Sequence, residues 1–62
     1  MKVIAVIPTY NEAENIRIRI PRILGLGRQY HVLVVDDASP DGTASVVKEF
    51  MKADPRVSIL ER

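Results

Sequence analysis

Val32-Leu33-Val34-Val35-Asp36-Asp37-Ala38-Ser39-Pro40-Asp41-Gly42-Thr43 is the stretch on which the fold turns. Four consecutive apolar residues, three of them β-branched, suit a strand buried on both faces better than an amphipathic helix. Asp36 and Asp37 follow at the carboxyl end of that strand. Ser39, Pro40 and Asp41 then predict a helix start: a serine cap, proline at the first helical position and an acid at the second. Ala44, Val47, Phe50 and Met51 supply the stripe that this second helix would bury.

Upstream, Lys2 to Ile7 is another short apolar run closed by Pro8, and it reads as a first strand buried on both faces. Asn11 with Glu14 three residues on predicts a capping box and a helix from about residue 12. Ala13, Ile16, Ile20, Ile23 and Leu24 form its inward stripe, with Arg17 and Arg19 toward water. Pro21 lacks an amide and predicts a kink or break. Gly25 and Gly27 are expected to stop the helix by taking the left-handed conformation. Downstream, Pro55 marks the exit of the second helix, and Val57 to Leu60 reads as a third strand.

The order is β-α-β-α-β, a parallel α/β arrangement with crossover helices. With strand order 3-2-1 both helices fall on one sheet face and leave the other bare. Strands that read as apolar on both sides then imply either the beginning of a longer protein or a piece that pairs with another copy.

Composition narrows the function classes. The chain has 62 residues, 47% apolar and 27% charged, and no cysteine. That excludes a second domain and leaves no cysteines for the disulfide or zinc staples common at this size. The formal charge is +1 with the basic residues scattered, which argues against a nucleic-acid partner. No apolar stretch approaches the roughly 18 to 20 residues of a membrane span, and no signal-peptide cleavage site follows the N-terminus. Lack of cysteine fits a cytoplasmic chain.

In an open parallel sheet, ligands bind beyond the carboxyl ends of the strands. Two loops reach that edge: Pro8-Thr9-Tyr10-Asn11-Glu12 and residues 36–43. Tyr10 offers a face for stacking a base and Asp37 a carboxylate to accept its N–H groups, which suggests a nucleoside pocket. No Gly-x-Gly-x-x-Gly or Gly-Lys-Ser/Thr loop is present to cradle phosphate. A bound pyrophosphate would need another source of positive charge, most simply a divalent cation on carboxylates further along. Taken singly, each loop also reads as a turn with a helix cap, and Asp36 and Asp37 as solvating groups. His31 reads as edge packing, and Arg17, Arg19 and Arg22 as a solvated helix face, with anionic lipid a minor alternative.

Together, Val-Ile-Pro-Thr-Tyr-Asn-Glu at 6–12 and Val-Leu-Val-Val-Asp-Asp-Ala-Ser-Pro-Asp-Gly-Thr-Ala at 32–44 closely resemble the N-terminal part of family 2 glycosyltransferases. Within that family they are most similar to dolichol-phosphate (polyprenol-phosphate) mannose synthases. The resemblance spans essentially the whole chain and implies the β-α-β-α-β parallel-sheet half of a GT-A, Rossmann-like fold, with residues 1–62 the nucleotide-binding beginning of one incomplete domain. It implies a nucleotide sugar, GDP-mannose being favoured, held by Pro8, Tyr10 and Glu12 from the first motif and Val35 and Asp37 from the second. The two adjacent N–H donors of guanine suit Asp37; the single N–H of uracil could also use it. The resemblance further implies Mg or Mn on an Asp-x-Asp motif beyond Arg62, and a polyprenyl phosphate acceptor that attacks while the metal steadies the departing diphosphate. The parent enzyme is thereby open to membrane association, and the 62-residue piece alone is expected not to catalyse, with no catalytic residue assigned.

Three other readings fit parts of the same sequence. One is a family 2 transferase using a UDP-sugar, which shares these early motifs. Another is a receiver domain, where Val-Leu-Val-Val-Asp-Asp would belong to the first strand and not the second. The third is a non-catalytic module that self-associates through its uncovered sheet face.

Overall fold

The computed structural model describes residues 1–62. Its elements run β1 (Val3–Thr9), α1 (Ala13–Leu24), β2 (Tyr30–Asp36), α2 (Thr43–Ala53) and β3 (Val57–Glu61). The strands form one parallel sheet in the order β1-β2-β3, with Pro8 opposite Val35, Thr9 opposite Asp36, and Asp36 opposite Glu61. This is the expected 3-2-1 arrangement of an α/β half-sheet.

Both helices pack on the same side of that sheet. Alternation along the strands sends Ile7, Val32, Val34 and Val57 toward the helices, where they join Ile16 and Ile20 of α1 and Val46 and Val47 of α2 in one core. Ala13, Ile23, Leu24, Phe50 and Met51 close its margins. The stripe expected for α1 is the one buried. On α2 the sequence reading missed Val46, which the core takes in addition to Val47.

The opposite sheet face is bare. Ile4 and Val6 of β1 are 53% and 59% exposed and Leu60 of β3 is 53% exposed, while Leu33 and Val35 of the central β2 are half-buried; this is the bare face expected of the 3-2-1 order. The apolar residues on both sides were read correctly; the cover for one side is not supplied by these 62 residues.

One position inside α1 and two helix termini differ from expectation. Helix α1 runs unbroken through Pro21 to Leu24; the proline sits on the exposed side near the C-terminal end, where loss of its amide frees the Arg17 carbonyl toward water. Gly25 keeps a right-handed conformation at φ −72°, and the positive φ belongs to Gly27 at 155°. Helix α2 begins at Thr43 after the left-handed Gly42, not at Pro40, because the Ser39 hydroxyl and amide are engaged by Asp36 instead of capping the helix.

At the edge where the strands start, Arg56 ties the connections together. Its guanidinium forms a two-pronged pair with Asp54 (2.9 Å at the closest) and donates to the carbonyl of Gly27 at 2.8 Å, with longer contacts to those of Leu24 and Tyr30. The side-chain hydrogen bonds from Arg56 hold the Asp54 carboxyl below the ordinary carboxylate range. This clamp fixes the α1–β2 turn at the far end from the two motif loops.

Candidate functional site

The two-residue period of a strand separates the adjacent carboxylates into different roles. Asp36 faces the helices and is 3% exposed. Its Oδ1 accepts the Thr9 hydroxyl at 2.9 Å and the Ser39 hydroxyl at 2.5 Å, and its Oδ2 accepts the Ser39 amide at 3.2 Å. Burial pushes the Asp36 pKa up, but the Ser39 and Thr9 hydrogen bonds together outweigh it and leave the carboxyl below its ordinary value. Asp36 is thus a joint between the two loops. Asp37, one residue on, is exposed, and its amide donates to the Thr9 carbonyl at 3.1 Å.

That joint brings the loops side by side at the carboxyl edge of the sheet. Pro8, Tyr10, Glu12, Val35 and Asp37, the five residues singled out from sequence, line one open cleft of about 320 Å³ with Thr9 and Arg62. The cleft opens on the bare-face side, since Pro8 and Val35 are register partners that point away from the helices. Tyr10 is 60% exposed, leaving its ring free to stack. Arg62, which the sequence reading did not single out, is the one cation lining the cleft; its amide donates to the Asp36 carbonyl at 2.9 Å. Only the β2–β3 register, invisible in the sequence, brings it there.

A neighbouring depression of about 390 Å³ lies over the start of α1, lined by Asn11, Glu12, Glu14, Asn15 and Asp41 with Ala13 as its single apolar wall. It lacks the apolar surface a base requires, whereas the smaller cleft combines Pro8 and Val35 with Tyr10 and two carboxylates.

The start of α1 is capped from outside its own segment. Asn11 has φ 58° and does not cap, contrary to the capping box expected of it; Glu12 occupies the cap position with no side-chain hydrogen bond. Instead the second loop supplies the acceptors. Ser39 Oγ accepts the Asn11 amide at 2.8 Å, Thr43 Oγ1 the Glu12 amide at 3.3 Å, and Asp41 Oδ2 the Ala13 amide at 3.0 Å. Asp41 Oδ1 also accepts the Thr43 amide at 3.1 Å and its hydroxyl at 2.5 Å. Hydrogen bonds from the Thr43 side chain, and next from the Ala13 amide, hold the Asp41 carboxyl below its usual range.

These bonds also bear on phosphate and metal. The amides of residues 11–13 are already accepted and carboxylates crowd the remainder, so this helix start is no phosphate cradle. A divalent ion does not fit the chain's own residues: no three His, Cys, Asp or Glu side chains converge, and Asp36 and Asp41 are committed to internal hydrogen bonds.

Comparison with known proteins agrees with this architecture. The model of the family described as "Glycosyl transferase family 2" matches residues 4–62. The chain is 45% identical over 62 residues to a polyprenol monophosphomannose synthase of Mycolicibacterium smegmatis, covering 98% of this chain and 23% of that protein. It is 44% identical over 62 residues to an undecaprenyl-phosphate mannosyltransferase of Micrococcus luteus, covering all of this chain (100%) and 26% of that one. Among solved structures, the mannosyltransferase PcManGT from Pyrobaculum calidifontis, in complex with GDP-Man and Mn2+, superposes with a TM-score of 0.73 at 31% identity, covering 98% of this chain and 19% of that chain. The chain therefore spans about a quarter or less of the length of the proteins it matches.

Proposed function

The chain belongs to glycosyl transferase family 2, and on that premise we propose that residues 1–62 are the nucleotide-binding part of a GT-A domain whose donor is GDP-mannose and whose acceptor is a polyprenyl phosphate. The observation that carries this reading is the convergence of Pro8, Tyr10, Glu12, Val35 and Asp37 on one cleft at the carboxyl edge of the sheet. In it the guanine ring stacks on Tyr10, Pro8 and Val35 wall the base, and Asp37 accepts two N–H groups of guanine where uracil offers one. Glu12 closes the rim. Support for the donor and acceptor comes from relatives whose names carry a polyprenyl phosphate and from a structural neighbour bound to GDP-Man. The diphosphate finds no amide cradle here, so its charge is met by a Mg or Mn ion on residues other than these 62, and the piece by itself does not transfer sugar.

The experiment is a titration of the chain with guanosine, GDP and UDP, followed on the Tyr10 ring signals by NMR. Saturable binding with GDP favoured over UDP is expected. Guanosine should bind about as well as GDP when a chelator is present, because the diphosphate enters an acidic edge unaided. Absence of any saturable response would remove the pocket; UDP favoured over GDP would replace the donor with a UDP-sugar.

A second reading is favoured by the exposure of Ile4, Val6 and Leu60 on one sheet face. In isolation the chain self-associates through that face, two copies covering each other's apolar side.

A further inference from the structure

We propose that Ser39 and Asp41 are positioning residues for the nucleoside cleft: from the second loop they grip the backbone of the first and so set the separation at which Tyr10 and Asp37 face a bound base. The inference rests on the nucleotide-binding reading above and extends it to residues that do not line the cleft themselves.

Three consecutive amides, at Asn11, Glu12 and Ala13, are accepted by three side chains of the other loop. These amides directly follow Tyr10, and Glu12 is both a member of this run and a wall of the cleft. No side chain of the first loop caps α1, so the path of residues 10–13 is dictated from across the site. The left-handed conformations of Asn11 (φ 58°) and Ala38 (φ 53°), one in each loop, are unfavourable for non-glycine residues and persist where surrounding bonds over-determine them. Asp41 is bonded on both oxygens, one toward each helix, which makes it a strut and not a swinging group. Ser39 is fixed in the same way, since its hydroxyl accepts from Asn11 while donating to the buried Asp36. A recognition site tolerates about half an ångström of misplacement before it loses discrimination, so removal of either grip is expected to reach the ligand.

The test titrates wild type, Ser39→Ala, Asp41→Asn and Asp41→Ala with GDP and UDP, at a temperature where circular dichroism shows each variant folded. Amide exchange at Asn11 in the first variant and at Ala13 in the Asp41 variants should quicken. The affinity for GDP should fall about tenfold, and the preference for GDP over UDP should move toward one. Asp41→Asn keeps one acceptor oxygen and should retain part of the preference; Ser39→Thr restores the hydroxyl and should restore it. If Asp41→Ala does not fold, the Ser39 pair carries the comparison alone. Equal proportional losses for both nucleotides would mean a merely structural role and overturn the proposal, as would unchanged affinities in a variant whose amides had lost protection. Failure of wild type to bind either nucleotide sinks the function reading and this proposal with it, whereas wild-type binding with indifferent variants sinks the positioning role only.

Discussion

Asp36 and Asp37 stand side by side in the chain and do opposite work. Asp36 is buried among the Thr9 hydroxyl and the Ser39 hydroxyl and amide, so Asp36→Asn replaces one of its two acceptor oxygens with an NH2 group: either that group meets the Ser39 N–H, or the Thr9 and Ser39 hydroxyls must give up donating and accept from it. Such a loss should cost roughly 1–3 kcal/mol in urea unfolding, whereas Asp37→Asn should change stability by less than about 0.5 kcal/mol and act on nucleotide preference instead. The pH dependence follows from the sign of the shift. The folded-state pKa of Asp36 lies below its unfolded value, so its contribution is fully present above the ordinary carboxylate value of about 3.9 and is lost as pH falls through the depressed folded value. Acid titration of stability should therefore be steeper below about pH 4 for wild type than for Asp36→Asn. The sequence reading turns Asp37 toward the ligand; that Asp36 is the buried joint between the loops was not legible, because it depends on strand phase relative to the helices. That they lie at a sheet edge beside Tyr10 was legible, because consecutive β-α units can hardly place them elsewhere.

At the scale of elements, the apolar runs were read well and the helix ends poorly, for one physical reason. A buried strand is encoded by its own residues, but a helix start can be satisfied by any acceptor that arrives. Ser39-Pro40-Asp41 looks like a local cap, yet Ser39 serves Asp36 and Asn11, Asp41 serves both helices, and α2 starts three residues later than its signal. Asn11 and Glu14 form the sequence pattern of a capping box that the left-handed Asn11 cannot make. Pro21 is the converse case: a residue expected to break α1 is tolerated there because its position is exposed and the buried stripe of Ile16, Ile20 and Ile23 continues past it. Pro21→Ala restores an amide to the Arg17 carbonyl and should stabilise the chain by about 1–3 kcal/mol, visible as a raised melting temperature. A fall in melting temperature would mean that the proline's restriction of the unfolded chain outweighs the recovered bond.

For the whole molecule, the bare sheet face and the cleft are continuous. Pro8 and Val35 belong to both, lying on the uncovered side of β1 and β2 and lining the pocket. If two copies cover each other through Ile4, Val6 and Leu60, nucleotide and partner compete for overlapping surface. Sedimentation velocity should then show a dimer that weakens when saturating GDP is added, and Val6→Lys should yield a monomer with nucleotide binding intact. A monomer at millimolar concentration without the substitution would remove the self-association reading. No helix of the chain is long and apolar enough to cross a membrane.

The outside capping of α1 carries a consequence for the order in which the molecule assembles. The acceptors for residues 11–13 lie 28 to 31 positions later in the chain, at Ser39, Asp41 and Thr43. During synthesis the first helix therefore emerges without a finished beginning, and it acquires one only when the turn after β2 has left the ribosome. Helix nucleation is costly and twelve residues are marginal alone, so the first β-α unit has little reason to form early and every reason to form together with the second. The contacts that shape the cleft are thus the same ones that make the two halves of this chain a single cooperative folding unit.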